Sequence, residues 1–476
     1  MTLPELVALS PLIVVAVFTM AVLLLIAARR SHQATCILTL VGLVAASAAL
    51  VASAASGAQR VTSLLVVDRY SLYYMGLIFA AAFAVAALSY GYLEGRSGEP
   101  EEFYVLLLLA TLGSGILVAS THFASFFLGL EILSVSLYTL IAYPRTERLH
   151  IEAGLKYLIL AATSAAFLLF GMALIYSKSG RMDLAGLAAT VGATHSPIVL
   201  AGLGMLVVGI GYKLALVPFH LWTPDVYQGA PAPVTAFVAT VSKGSMFALL
   251  LRFFPRTSLD AHNGLVLVFA LMAVASMIAG NVLALLQDNV KRLLAYSSIA
   301  HLGYLLVAFL ASGALAATAV AFYLAAYFVA MLGALGVVTV LSGKEGDAGR
   351  LEDYRGLARQ RPWLAGAFTA MLFSLAGIPL TAGFVGKFYL VMAGIGSALW
   401  LLVFVLVVTS AIGLFYYLRV IAALYQAVPA SAAAPVVARP LPLLSALVLA
   451  ALTVALIGLG TYPAPLLDWI RSAVGT

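Results

Sequence analysis

The sequence predicts an all-α polytopic membrane protein of about fourteen transmembrane helices, with two inverted five-helix repeats that each contain a broken helix. Three observations lead there. Of 476 residues, 64% are hydrophobic and only 9% are charged, against about 25% charged in an average soluble domain. The apolar runs are Leu/Ala-rich and of spanning length, and they lack the roughly ten-residue alternating segments of an outer-membrane barrel. Lysines and prolines then interrupt these runs at what would be membrane depth, where neither residue is neutral.

Apolar runs lie near 5–28, 34–56, 71–93, 103–120, 123–143, 153–177, 197–221, 234–254, 264–287, 292–312, 316–342, 363–395, 397–427 and 441–462. The opening MTLPELVALSPLIVV has no basic segment, and no small-residue cleavage site follows it, so the first run reads as a retained helix. The single cysteine, Cys36, excludes a disulfide framework, a thiolate-ligated iron–sulfur cluster and a CxxCH haem site. No two histidines have bis-haem or zinc-ligand spacing, so no metal and no cofactor site is expected in this chain. Redox chemistry, if any, belongs elsewhere.

The net charge of +7 reads as topology rather than nucleic-acid affinity. One set of alternate loops holds Arg29, Arg30, Arg96, Arg145, Arg148, Lys291, Arg292, Lys344, Arg350, Arg355, Arg359, Arg361, Arg419 and Arg439. The other holds only Arg60, Arg69, Lys178, Arg181, Arg252, Arg256 and Arg471. The richer set is expected in the cytoplasm, with both termini outside, which agrees with an even helix count. Within that set, GKEGDAGRLEDYRGLARQRP at 343–362 reads as a solvated loop that fixes topology, or else as a docking patch for a partner.

A division follows: a three-helix segment over 1–100, a five-helix repeat over 101–260, a second over 261–430 and a C-terminal helix over 431–476. The fourth helix of each repeat is interrupted, at Pro218 and at Pro379. Because five is odd, the second repeat must be inverted in the membrane, an arrangement typical of transporters.

The stretch YKLALVPFHLWTPDVYQGAPAPVTAFVATVSK at 212–243 concentrates the anomalies. Lys213 and Lys243 lie inside apolar runs, each costing about 2.5–3.5 kcal/mol at a helix centre, so such lysines are functional candidates. Lys387, Lys156 and Glu131 complete the set of ionisable residues within helices. Burial disfavours the charged form of either residue type, whereas a Glu–Lys pair favours it. A lysine that gains and loses a carboxylate partner therefore switches charge, which is what a proton relay needs. A static ion pair of Glu131 with one lysine is the structural alternative, yet it leaves the other lysines unexplained. Around the two prolines, freed backbone groups can hold water, and Gly377, Gly383 and Gly386 allow close helix approach. Thr240, Ser242 and Ser245 offer hydroxyls near Lys243 or else cap helix carbonyls. His220 and His301 suit a water chain or simple hydrogen bonding. Phe415, Tyr416 and Tyr417 read as packing or an interface belt.

These residues carry a resemblance. YKLALVPFHLWTPDVYQGAPAPVTAF, VSK, KRLLAYSSIAHLGY, AGIPLTAGFVGKF, LKYLILAATSAAFLLFG and EFYVLLLLATLG together resemble the N-subunit branch of the antiporter-like family in bacterial NADH:quinone oxidoreductase, respiratory complex I. The Tyr-Gln-Gly-Ala-Pro run, Lys243, and lysine rather than glutamate at 387 set it apart from the cation/proton antiporter branch. The resemblance implies a proton-translocating subunit of the bacterial inner membrane. In it Glu131 modulates Lys213, Lys243 links the input half-channel to the central axis, and Lys387 exchanges protons with the outer side. Lys156 matches a further family lysine. It also implies that NADH, FMN, iron–sulfur clusters and quinone are handled by partner subunits, so this chain is a non-redox part of the enzyme. A Na⁺ or K⁺/proton antiporter subunit and a structural scaffold are the competing functions.

Overall fold

The computed structural model describes residues 2–96, 98–144, 147–193, 196–254, 263–344, 346–427 and 441–474. Arg145, Arg256 and Arg439, counted above among the loop charges, lie outside the described residues. Among the described residues, thirteen helices are long and apolar enough to cross a membrane. The chain runs α1 (Leu3–Ala28), α2 (His32–Ala55), a hairpin of β1 (Gln59–Val61) and β2 (Leu65–Val67), α3 (Arg69–Leu93), α4 (Glu101–Ala119), α5 (Phe123–Ile141), α6 (Arg148–Ser179) and a connecting α7 (Leu184–Ala193). Then come α8 (Pro197–Leu214), α9 (Trp222–Gly229), α10 (Ala232–Phe237), a π-turn over Val238–Ser242 and α11 (Lys243–Phe253). The second half comprises α12 (Asn263–Leu285), α13 (Val290–Leu310), α14 (Ala314–Leu341), a short α15 (Leu357–Gln360), α16 (Pro362–Ala376), α17 (Ala382–Gly396), α18 (Trp400–Tyr425), α19 (Leu443–Thr461) and α20 (Ala464–Val474).

The run at 363–395 accounts for the fourteenth crossing. It is split into α16 and α17, 15 residues each, so either half spans only about 22 Å at 1.5 Å per residue and the two must cross together. The expected helix over 197–221 is shorter than its hydrophobicity suggested: α8 stops at Leu214, and the chain resumes as α9 after seven non-helical positions, 215–221. Both interruptions carry a non-glycine residue in the left-handed region, Ala215 at φ 58° and Leu380 at φ 71°. Such backbones persist only where the surroundings enforce them. The expected single C-terminal helix is two, because Tyr462 and Pro463 end α19 before α20 begins. The short α20 is amphipathic, burying Leu467, Ile470 and Ala473 while Trp469 stays half-exposed.

Loops of the basic set share one face. Arg30 pairs with Glu99 and Glu102, Tyr92 reaches Asp347, and Arg419 donates to the Leu285 carbonyl. On the opposite face Arg252 pairs with Asp68 at 2.8 Å, Arg69 donates to the Ser472 carbonyl and Ser53 to the Ala8 carbonyl. Both described ends of the chain therefore fall on one face, as an even number of crossings requires.

Burial is concentrated in the middle: 94% of residues in the apolar windows of 232–253 and of α13 are buried, against 22% for α19. These central helices carry most of the polar side chains described next. The segment at 343–362, expected to be a solvated loop, instead lies over the basic face as a strap. Within it the Asp347 side chain, Ala348, Tyr354 and Leu357 are buried, and the Tyr354 hydroxyl donates to the Ala348 carbonyl.

Candidate functional site

The first interruption is closed by protein. Backbone freed at the end of α8 and through 215–221 is met by Ser276, whose hydroxyl accepts from the Val217 amide at 2.9 Å, and by Trp222, whose Nε1 donates to the Tyr212 carbonyl at 2.9 Å. Hydrocarbon offers no such partners, so the interruption needs these. Lys213 lies in the last turn of α8, where exposed carbonyl dipoles favour a cation. Its Nζ donates to Ser134 Oγ at 2.7 Å and approaches the Tyr157 hydroxyl at 3.4 Å.

Glu131 is one turn from Ser134 on α5 and feels the Lys213 charge. Among the described residues Glu131 makes no direct ion pair with Lys213 or any other lysine, so the static Glu131–lysine pair weighed as the structural alternative is not formed. Ser134 stands in between.

The Tyr157 hydroxyl also lies within electrostatic reach of the Ser242 hydroxyl, and Ser242 precedes Lys243 and closes the π-turn. Lone π-turns of this kind commonly occur at functional sites. Lys243 Nζ donates to Ser298 Oγ at 2.8 Å, and the hydroxyls of Tyr327 (2.8 Å) and Tyr227 (3.2 Å) converge on the same oxygen. The rings of Tyr227 and Trp222 lie 5.1 and 5.9 Å from Nζ, within cation–π range.

From Ser298 the polar line continues along one stripe of α13. Ser297 shares a 2.5 Å hydrogen bond with Tyr417, and His301 bonds the Tyr323 hydroxyl through Nδ1 at 2.6 Å and Tyr417 through Nε2 at 3.2 Å. One turn on, Tyr304 receives a hydrogen bond from Asn281, which accepts from Tyr416. The Tyr304 ring lies 5.3 Å from Lys387 Nζ.

The second interruption holds Lys387. Its Nζ donates to the Leu375 and Ala376 carbonyls at 2.9 and 2.8 Å and to Ser410 Oγ at 2.7 Å. Those carbonyls are free because α16 ends there. Gly377, at φ +87°, lets the lysine stem pass, since a Cβ would meet Lys387 Cδ at 2.8 Å. Gly383 is packed so tightly that a Cβ would be 1.8 Å from the Ser374 carbonyl oxygen.

Glu131, Lys213, Lys243, His301 and Lys387 are thus brought onto one axis, and two expected members are not. Lys156, read as part of the buried row, is 43% exposed and paired with Glu152 at 2.6 Å and Asp225 at 2.9 Å. Arg292 binds the other oxygen of Asp225. His220 is buried inside the first interruption, where its Nδ1 has no hydrogen-bond partner among the described residues, and it bonds no lysine. Thr240 and Ser245 satisfy carbonyls of their own helix, leaving Ser242 as the one hydroxyl of the three within electrostatic reach of Tyr157. Tyr416 and Tyr417, expected in packing or a belt, are buried members of the network, whereas Phe415 is exposed. Sequence reasoning missed Ser134, Tyr157, Tyr227, Ser298, Tyr323 and Tyr327. The available signal was Ser297, Ser298, His301 and Tyr304, at helical spacing in an otherwise apolar run.

Residues 120–413 match the family described as the transmembrane region of NADH:quinone oxidoreductase and Mrp antiporter proteins. NADH-quinone oxidoreductase subunit N of Nitrosospira multiformis is 52% identical, with 99% of this chain and 96% of that protein covered. Subunit N of Ectopseudomonas mendocina is 48% identical over 90% of this chain and 88% of that protein. The chain belongs to the NADH-quinone oxidoreductase subunit N family. A chain of respiratory complex I from Thermus thermophilus, 34% identical, superposes with a TM-score of 0.83, covering 96% of this chain and 98% of that one. The subunit N family fold is that of a multi-pass membrane protein, and the region matched at 120–413 contains Glu131, Lys213, Lys243 and Lys387.

Proposed function

We propose that this chain is the proton-translocating N subunit in the membrane arm of a bacterial NADH:quinone oxidoreductase, in the inner membrane and with both termini outside. The observation that carries the reading is the line of hydrogen-bonding groups from Lys213 through Tyr157, Ser242, Lys243, Ser298, His301 and Tyr417 towards Lys387. Protons enter near Lys243 and pass between lysines whose charge is set by their neighbours, Glu131 acting on Lys213. They leave from Lys387 on the outer side. His220 contributes polarity to the first interruption, and Lys156 serves a surface contact instead of the relay. Residues 101–260 and 261–430 act as two inverted five-helix units, each contributing one interrupted helix to the axis.

The chain is a non-redox part of the translocase. NADH, FMN, iron–sulfur clusters and quinone are handled by partner subunits, and their chemistry supplies the energy. A charge moved against 100 mV requires about 2.3 kcal/mol, which no group in this chain can provide by itself. In the intact complex, Lys213→Ala and Lys387→Ala are expected to reduce proton pumping strongly while the membrane arm still assembles. Full pumping in both variants would refute the reading. The matched family also includes Mrp antiporters, which favours Na⁺/H⁺ exchange as the second reading. Electrogenic exchange by the purified chain in vesicles, without a redox partner, would establish it instead.

A further inference from the structure

We propose that Asp347 and Lys291, supported by Tyr92 and Arg96, form a latch that joins the basic-face ends of the two interrupted helices and so holds the partners of Lys243 in place. Lys291 was counted above as a loop charge, yet only 1% of its side chain is exposed. Its Nζ donates to Asp347 Oδ2 at 2.5 Å and to the Ala230 carbonyl at 2.6 Å. Ala230 follows α9, the second half of the first interrupted helix. Asp347 belongs to the strap that leads into α16, the first half of the second. One ammonium group therefore touches the connections to both.

The anchoring extends sideways. Tyr92 donates to Asp347 Oδ1 at 2.7 Å, and Arg96, 3.6 Å from the same oxygen, also bonds the Gly343 carbonyl. The strap is fixed to the start of α13 through backbone bonds, Val290 N to the Gly349 carbonyl at 2.7 Å and Leu351 N to the Asp288 carbonyl at 3.0 Å. The Ala230 carbonyl also accepts from Thr235, whose hydroxyl bonds the Tyr227 carbonyl, and the Tyr227 hydroxyl reaches Ser298 beside Lys243. Displacing Ala230 thus moves a group in contact with the Lys243 site.

Asp347 is a fixed anion rather than a carrier. Burial alone would raise its carboxyl, but Lys291, Tyr92 and Arg96 outweigh burial and hold it below the usual carboxylate range. Removing one partner leaves an uncompensated buried charge, far costlier than never having had the pair.

The consequence for pumping rests on the translocation reading above; the latch itself does not. The test uses the intact complex, with hydrogen exchange read over 226–237 and protons pumped per quinone reduced. Asp347→Asn is expected to speed exchange over 226–237 by about tenfold or more and to lower the pumping ratio. Lys291→Met should do the same, and Lys291→Arg, which keeps the charge, should retain both properties. If Asp347→Asn fails to assemble, Arg96→Gln loosens the same cluster from its edge and is read identically. Unchanged exchange, or Lys291→Arg behaving like Lys291→Met, overturns the latch. Faster exchange with a normal pumping ratio overturns its link to Lys243. If Lys213→Ala and Lys387→Ala also pump normally, the translocation reading fails and the latch stands.

Discussion

Ser298→Ala tests the hub of the axis. The hydroxyl it removes accepts from Lys243 Nζ at 2.8 Å and meets the hydroxyls of Tyr227 and Tyr327. Among the described residues Lys243 Nζ makes no other hydrogen bond, so the substitution leaves a buried amine without a partner. A hydrogen bond to a charged group contributes about 1.5–3 kcal/mol, and every 1.4 kcal/mol is about tenfold. If protonated Lys243 is an obligatory step, the rate through it should fall about 10- to 150-fold. The assay is proton uptake into inverted membrane vesicles, followed with a pH-sensitive dye and normalised to assembled complex. Ser298→Thr, which keeps the hydroxyl, should pump within about twofold of the natural protein, as expected for a retained bond. Pumping by Ser298→Ala at half the natural rate or better, with normal assembly, would refute the hub.

Gly383→Ala places a Cβ 1.8 Å from a backbone carbonyl oxygen, and overpacking of this kind costs about 1–3 kcal/mol or more; native gels should show less assembled complex. Lys156→Ala removes half-exposed pairs to Glu152 and Asp225, each contributing at most about 1 kcal/mol. Pumping by that variant should stay within about twofold, and a loss as large as that of Lys387→Ala would return Lys156 to the relay. Asp347 has its folded pKa depressed, so its stabilisation is complete above the unfolded value of about 3.9 and is lost as pH falls through the lower folded value. Exchange over 346–351, corrected for its intrinsic pH dependence, should therefore stay slow from pH 8 to 5 and rise only on acidification below the ordinary carboxylate range.

The costly features were the legible ones. Lysines and prolines in apolar runs stand out because hydrocarbon tolerates neither cheaply, so Lys213, Lys243, Lys387 and both interruptions could be read from one sequence. Their partners could not. Tyr157, Tyr227 and Tyr327 lie in apolar helices where tyrosine equally suits packing, and Ser298 resembles any serine that satisfies its own helix. Only the placement of helices around α13 shows which hydroxyls converge. Lys156 was misplaced because the apolar LKYLIL stretch drew more weight than Glu152, whose i,i+4 spacing already offered it a surface partner. Lys291 was misread because it directly precedes Arg292 near a helix start, where positive charge usually marks a loop. The amphipathic α20 went unnoticed because its 11 residues follow an apolar span that dominates any long window.

The most direct test of the central claim is a structure of the intact membrane arm at a resolution that reveals ordered water. The account predicts waters bridging Glu131 to Lys213 and filling the step from His301 and Tyr304 to Lys387, so that polar contacts run unbroken between the two interruptions. A dry, apolar gap at either step, in a complex that still pumps through this subunit, would contradict it.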